Sequence, residues 1–233
     1  MLGIAIPAHD ERSSITACVH AALAAATHDR LNGEACVVLV VADACSDDTA
    51  ALAQIAGARV IVIHARNVGC ARAAAAQALL ALGCRWLAFT DADTIVAPDW
   101  LADQLSLGAD AVCGTVGVDD WTAHGVHAGL LRQHFIKTYV DRDEHAHVHG
   151  ANLGVSAAAY RRAGGFQALA CSEDVALVEA LVGCGARVAW SAKPRVVTSA
   201  RVVARAAGGF ADALIRAVAH RLEAGSVTGQ VEV

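Results

Sequence analysis

Short apolar runs rich in β-branched residues alternate with helical stretches through the first half of this chain, and that alternation limits the folds open to it. Strands are expected at Leu2–Pro7, Cys36–Ala42, Arg59–Ile63 and Arg85–Thr90. Between them, Glu11–Ala26 sets Ile15, Cys18, Val19, Ala22 and Leu23 on one helical face. Asp47–Ala56 follows Ser46, a good N-cap. Gly69–Leu82 is almost entirely Ala and Leu and stops at Gly83, a suitable C′ residue. Strand and helix in turn give an α/β fold, a mostly parallel central sheet wound by right-handed crossovers and flanked by helices. Apolar residues make up 56% of the 233 and aromatics 4%, so the core is expected to form from closely approaching, small-residue helices.

Ligands of such sheets bind at the carboxyl ends of the strands. Three polar clusters fall there: Pro7-Ala8-His9-Asp10-Glu11, Asp43, and Asp91-Ala92-Asp93. Their convergence on one rim is hard to attribute to turn chemistry alone. The third cluster is the most telling. In an extended backbone, residues two apart face the same side, so both carboxylates share one small volume. Oxygen-only ligands with open positions suit Mg²⁺ or Mn²⁺, which complete their coordination with substrate phosphates.

Composition excludes several other classes. A net charge of −5 lacks the basic stripe of a general nucleic-acid binder. No apolar stretch approaches the ~20 residues of a transmembrane segment, and Met1–Ile6 meets Pro7 too early for a signal-peptide core. The eight cysteines are scattered with no C-x-x-C pair, as expected of reduced core residues in a cytoplasmic protein.

The second half is less regular. Helices are expected at Asp99–Leu107, Trp121–Val140, Ala157–Ala163, Glu173–Val182 and Phe210–Glu223. Strands are expected at Ala111–Val118, Arg187–Trp190 and Arg195–Thr198, with a loose tail over 225–233. His145, His147 and His149 alternate, so in a strand they would share a face, near an acceptor or a metal shell. Thr198-Ser199-Ala200-Arg201 and Arg205 are either a loop closing over a diphosphate or surface charge.

Read in order, these segments resemble the family 2 glycosyltransferases with the GT-A (Rossmann-like) fold, over about residues 2–200. Ile4–Glu11 looks like the family's first strand and nucleotide-contacting turn, and Val40–Thr49 like the second, whose leading Asp43 meets base or ribose. Asn67-Val68-Gly69-Cys70-Ala71-Arg72 resembles the segment whose Arg approaches the donor, and Asp91-Ala92-Asp93 the metal and diphosphate motif. Gly150-Ala151-Asn152-Leu153-Gly154-Val155 and the later Gly164-Gly165-Phe166 look like the acceptor side, with Gly150, Ala151 and Asn152 its site residues. Ser172-Glu173-Asp174 resembles the acidic pair that supplies the catalytic base.

The resemblance implies a metal-dependent, inverting transferase moving a sugar from a UDP or GDP donor to a hydroxyl acceptor. Asp174 would be the base, with Glu173 second. Pro7, Ala8, Asp10, Glu11, Asp43, Asn67, Arg72, Asp91, Ala92 and Asp93 would bind the nucleotide sugar, and Asp93 with Asp91 would hold Mn²⁺ or Mg²⁺. Local physics leaves other readings open. Glu173 and Asp174 suit a helix start, Asn67 suits a turn, and Arg72 could be surface charge. His9 stands where many members carry an aromatic residue, and Ala44-Cys45 where Asp-Gly is frequent. As a single domain, 1–205 would hold a nucleotide half (about 1–95) and an acceptor half (about 96–205), followed by a helix and tail (206–233).

Two rivals remain. A sugar-phosphate nucleotidyltransferase needs a Gly-rich first loop, and Pro7–Arg12 contains no glycine. A non-catalytic nucleotide-sugar binding protein would keep Asp43 and Asp93 but need no base.

Overall fold

A computed structural model of the protein describes residues 1–202. In chain order its elements are β1 (Leu2–Ala8), α1 (Ile15–Ala26), β2 (Cys36–Asp43), α2 (Thr49–Ile55), β3 (Arg59–Ile63), α3 (Val68–Ala81), β4 (Trp86–Phe89) and β5 (Thr94–Val96). There follow α4 (Trp100–Ser106), β6 (Ala111–Gly114), α5 (Ala128–Thr138), β7 (Leu153–Ser156), α6 (Ala157–Arg162), α7 (Glu173–Gly183), β8 (Val188–Ser191) and β9 (Val196–Thr198). The expected closing helix Phe210–Glu223, Arg205 and the tail lie outside the described residues.

Seven strands form one sheet in the order β3-β2-β1-β4-β7-β6-β8. Neighbours are parallel except around β7, which runs antiparallel to both β4 and β6. The α/β expectation of a mostly parallel sheet therefore holds, with one reversed strand inside it. β5 and β9 pair separately as an antiparallel ribbon.

Small residues let the helices approach closely. α3 buries Gly69, Ala71, Arg72, Ala75, Ala76 and Leu79. Leu79 presses on Gly3 of β1, where an added Cβ would lie 2.8 Å from its methyl carbons. Ala5, Leu39, Val41, Leu87, Phe89, Leu153 and Val155 complete this core layer. Full burial of each larger apolar side chain contributes about 1.5–3 kcal/mol. Phe89 meets Phe166 edge to face at 4.9 Å.

The structure alters some expected boundaries. α1 begins at Ile15 because Glu11–Ser14 forms a turn, with Ser14 and Ile15 N–H groups bonded to the Glu11 carbonyl. α2 begins after Asp48: the Ser46 N–H and hydroxyl are bonded to Asp10, and the Thr49 N–H goes to the Asp47 carboxylate at 2.9 Å. The expected helix Trp121–Val140 is broken. A 3₁₀ segment, Thr122–His127, contains Gly125 at φ 53° and ψ −127°, and the α-helix starts only at Ala128. Residues 145–149 form no strand, although the three histidine rings do stack in a row.

The contacts divide the chain into two units. One comprises Met1–Gly117 and Asp141–Thr198 and holds the sheet. The other comprises Val118–Val140 and, among the described residues, 199–202. In the second unit Trp121, Leu131 and Ala200 form a small core with Phe135 against it. Among the described residues no helix is long and apolar enough to cross a membrane.

Candidate active site

β1, β2 and β4 are parallel, so their carboxyl ends lie on one rim. Pro7 and Ala8 close β1 opposite Val41 and Ala42. Asp10 follows in the left-handed region (φ 52°), and its carboxylate accepts the Ser46 N–H at 2.6 Å and the Ser46 hydroxyl at 3.1 Å. These bonds hold the Asp10 carboxyl below the usual range. Glu11 is buried, its N–H donating to the Thr49 hydroxyl at 2.7 Å and its carboxylate accepting from the Ser14 hydroxyl.

Asp43 is buried at the end of β2. Its carboxylate accepts three backbone N–H groups, from Ala65 (2.7 Å), Arg66 (2.9 Å) and Asn67 (2.8 Å). The carboxylate thus shapes the turn that launches α3. Asn67 caps that helix by accepting the Cys70 N–H at 2.9 Å. Gly69 follows, where a Cβ would meet the Gln167 carbonyl at 2.2 Å, so the 167–169 segment can lie directly on the helix.

One turn into α3, Arg72 is buried between two carboxylates. Nη2 donates to Asp91 Oδ1, and Nη1 lies 2.8 Å from Glu173 Oε1. Asp91 is half-exposed, with Ala92 buried and Asp93 partly open beside it. Burial pushes the Glu173 carboxyl above its ordinary range; Arg72 pulls it back, while Asp174 and Asp91 push the same way as burial. The neighbouring Asp174 accepts the Gly150 N–H at 2.7 Å.

The structure therefore joins Arg72, Asp91, Gly150, Glu173 and Asp174, which span 102 positions of sequence, in one cluster. Asn152 behaves differently. It is fully buried, accepts from Trp100 Nε1 at 2.8 Å, and donates to the Thr115 and Pro194 carbonyls at 2.8 and 3.0 Å. Its amide ties elements together, and Ala151 beside it is also buried. Sequence reasoning overlooked Phe166 as a neighbour of Arg72 and the Gly150 N–H as a holder of Asp174; no local signal links segments so far apart in the chain.

Asp91 and Asp93 flank a turn rather than an extended stretch, with the Thr94 N–H bonded to the Asp91 carbonyl at 3.1 Å, so the shared face expected of alternating strand residues is not formed. As hard oxygen donors partly open to solvent, they fit Mg²⁺ or Mn²⁺ better than a soft metal. Among the described residues, the one group of three possible ligand atoms within 4.8 Å of each other is Asp10, Cys45 and Asp47. Its carboxylates already serve Ser46, Thr49 and Arg12. The histidine rings lie 5.4 and 5.7 Å apart in sequence, a stack rather than a converging set.

The model of the family described as glycosyl transferase family 2 matches residues 3–164, more than half of the chain. The chain belongs to that family. No curated protein matches. Among solved structures, S. aureus TarS 1–349 in complex with UDP-GlcNAc is similar, with a TM-score of 0.63 and 14% identity over 94% of this chain and 65% of that one. The UDP complex of TarS 1–349 gives 0.60 and 13% over 85% and 60%. Glucosyl-3-phosphoglycerate synthase from Mycobacterium tuberculosis with Mg²⁺ and UDP gives 0.53 and 16% over 85% and 69%. The present chain thus spans about 60% of the length of TarS 1–349. At these identities the likeness speaks for the fold, that of GT-A glycosyltransferases, as the family membership does.

Proposed function

We propose that this family 2 protein is an inverting, metal-dependent glycosyltransferase that moves a sugar from a UDP or GDP donor onto a hydroxyl acceptor. The observation that carries the reading is the cluster just described: the end of β4 and the start of α7 meet at Arg72, so Asp91 and Asp174 belong to one site. The UDP complexes of the similar structures favour uracil as the base. Eight free cysteines suit a reducing compartment, and we place the reaction in the cytoplasm.

Transfer with inversion is a single displacement at the anomeric carbon. Asp174 takes the proton of the acceptor hydroxyl, its oxygen bonds to the anomeric carbon, and the bond to the nucleoside diphosphate breaks on the opposite face. Mn²⁺ or Mg²⁺ held by Asp93 and Asp91 would supply positive charge for the departing diphosphate. The turn carrying Asp10 and Glu11, and the Asp43-shaped turn at 65–67, form the nucleotide side. The Gly150 N–H holds Oδ2 of Asp174 and the Val175 N–H its Oδ1, which together fix the direction of the remaining lone pairs.

Thermal-shift screening of nucleotides and nucleotide sugars with and without Mn²⁺ tests this proposal. UDP or GDP should stabilise the protein, with metal increasing the effect. Asp174→Asn should keep that binding and lower transfer by ~10²–10⁴-fold. Stabilisation by a nucleoside triphosphate with a sugar phosphate, or transfer undiminished in Asp174→Asn, would overturn it.

A further inference from the structure

Arg72 is 3% exposed. One end donates to Asp91 and the other faces Glu173, itself 4% exposed. Phe166 covers the group, with Cζ 5.9 Å from the ring centroid. The Gly150 backbone lies so close that a Cβ there would fall 1.4 Å from Nη1. Nε and Nη1 are shut off from solvent, and Nη1 faces Glu173 without an aligned hydrogen bond. That leaves Nη2, already committed to Asp91, and a side chain 4% exposed offers little edge to a donor phosphate.

We infer that Arg72 is a positioning residue: it locks Asp91 at the end of β4 to Glu173 at the start of α7, and so sets Asp174 on the next residue. The inference rests on the proposed roles of Asp91 and Asp174, and it removes Arg72 from the set of direct donor contacts. A planar fork can span two carboxylates, whereas a lysine ammonium is a single point of charge and reaches one of them. Gly150 has two parts in the lock, making room for Nη1 and binding Asp174 through its N–H. Rate is sensitive to such placement, since a displacement of about 1 Å can cost ~10²-fold.

The test compares Arg72→Lys, Glu173→Gln and the double variant with the wild-type protein. Affinity for UDP or GDP, whichever the wild type binds, is measured by calorimetry in EDTA, where metal contributes nothing. Arg72→Lys should lower kcat ~10²-fold while metal-free nucleotide affinity stays within about twofold. Glu173→Gln should show the same pattern, and the double variant should lose no more than the worse single one. A tenfold loss of nucleotide affinity with kcat retained at saturating donor, or additive losses, would overturn the inference. If Arg72→Lys does not fold, Glu173→Gln decides: an unchanged kcat would sink it. Hydrogen exchange reads the lock without any activity. Faster exchange in Arg72→Lys over both 148–152 and 172–176 supports it, and unchanged exchange in both opposes it. A wild-type protein that binds neither nucleotide would instead count against the proposed function.

Discussion

At position 150 the backbone can carry nothing larger than hydrogen. An alanine Cβ would sit 1.4 Å from Arg72 Nη1 and 2.1 Å from Cζ. The guanidinium would have to swing away from both Asp91 and Glu173, leaving buried charges without their partners. Overpacking costs about 1–3 kcal/mol and a broken buried ion pair adds to it. Gly150→Ala should therefore destabilise the protein by about 2–4 kcal/mol, read as a lower urea midpoint, and an unchanged midpoint would contradict the geometry. Much of this site was legible as residue types. Asp43 and Asp91 sit at strand ends, where the alternation of strand and helix implies a ligand rim. Their partners were not legible. The N–H groups that Asp43 binds come 22 to 24 positions later, and Glu173 lies 101 positions beyond Arg72.

At the scale of elements, Asn152 does for α4, β6 and the approach to β9 what Arg72 does for the rim. Its side chain takes the Trp100 indole N–H and gives hydrogen bonds to the Thr115 and Pro194 carbonyls. Gly114 allows this, since a Cβ there would lie 2.1 Å from the amide nitrogen. Asn152→Leu keeps a comparable volume but strands three polar groups, each worth about 1–3 kcal/mol when buried and unpaired. We expect a loss of about 3–5 kcal/mol in chemical denaturation, with Gly114→Ala destabilised in the same direction. Boundaries were readable wherever a local cause set them, as at Gly83, which takes φ 82° just past α3. They failed where the cause was remote. The amphipathic pattern of Trp121–Val140 runs through Gly125 unaltered, and only the positive φ of that glycine reveals the break. No strand was expected at β7, because Leu153-Gly154-Val155-Ser156 is too short and too mixed to signal one locally. Its antiparallel placement is fixed by pairing with β4 and β6.

For the molecule as a whole, the shifted groups define a pH window. His149 is lowered from 6.5 to about 4, first by burial and then by the neighbouring His147 and His145, with Asp91 opposing. A histidine depressed in the fold stays neutral while the unfolded chain takes up a proton, so its contribution is present above about pH 6.5 and lost toward pH 4. Glu34, lowered to about 2 chiefly by its hydrogen bond from Arg85, loses its contribution as pH falls from about 4.5 to 2. Glu173 works in reverse: its carboxyl is raised, so acid relieves a cost that is present when it is ionised. On the alkaline side, burial raises Cys36 and Cys113 to about 12, so ionisation of unfolded thiols above pH 9 favours unfolding. Stability should thus be greatest between about pH 6.5 and 9 and decline on both sides. The acid limb can be assigned to one side chain. Linkage gives His149 about 1–2 kcal/mol of the difference between pH 7.5 and 5. Urea midpoints of His149→Gln at these two pH values should differ by that much less than those of the wild type. An acid limb of equal depth in the variant would mean that His149 is protonated in the fold near its ordinary pH.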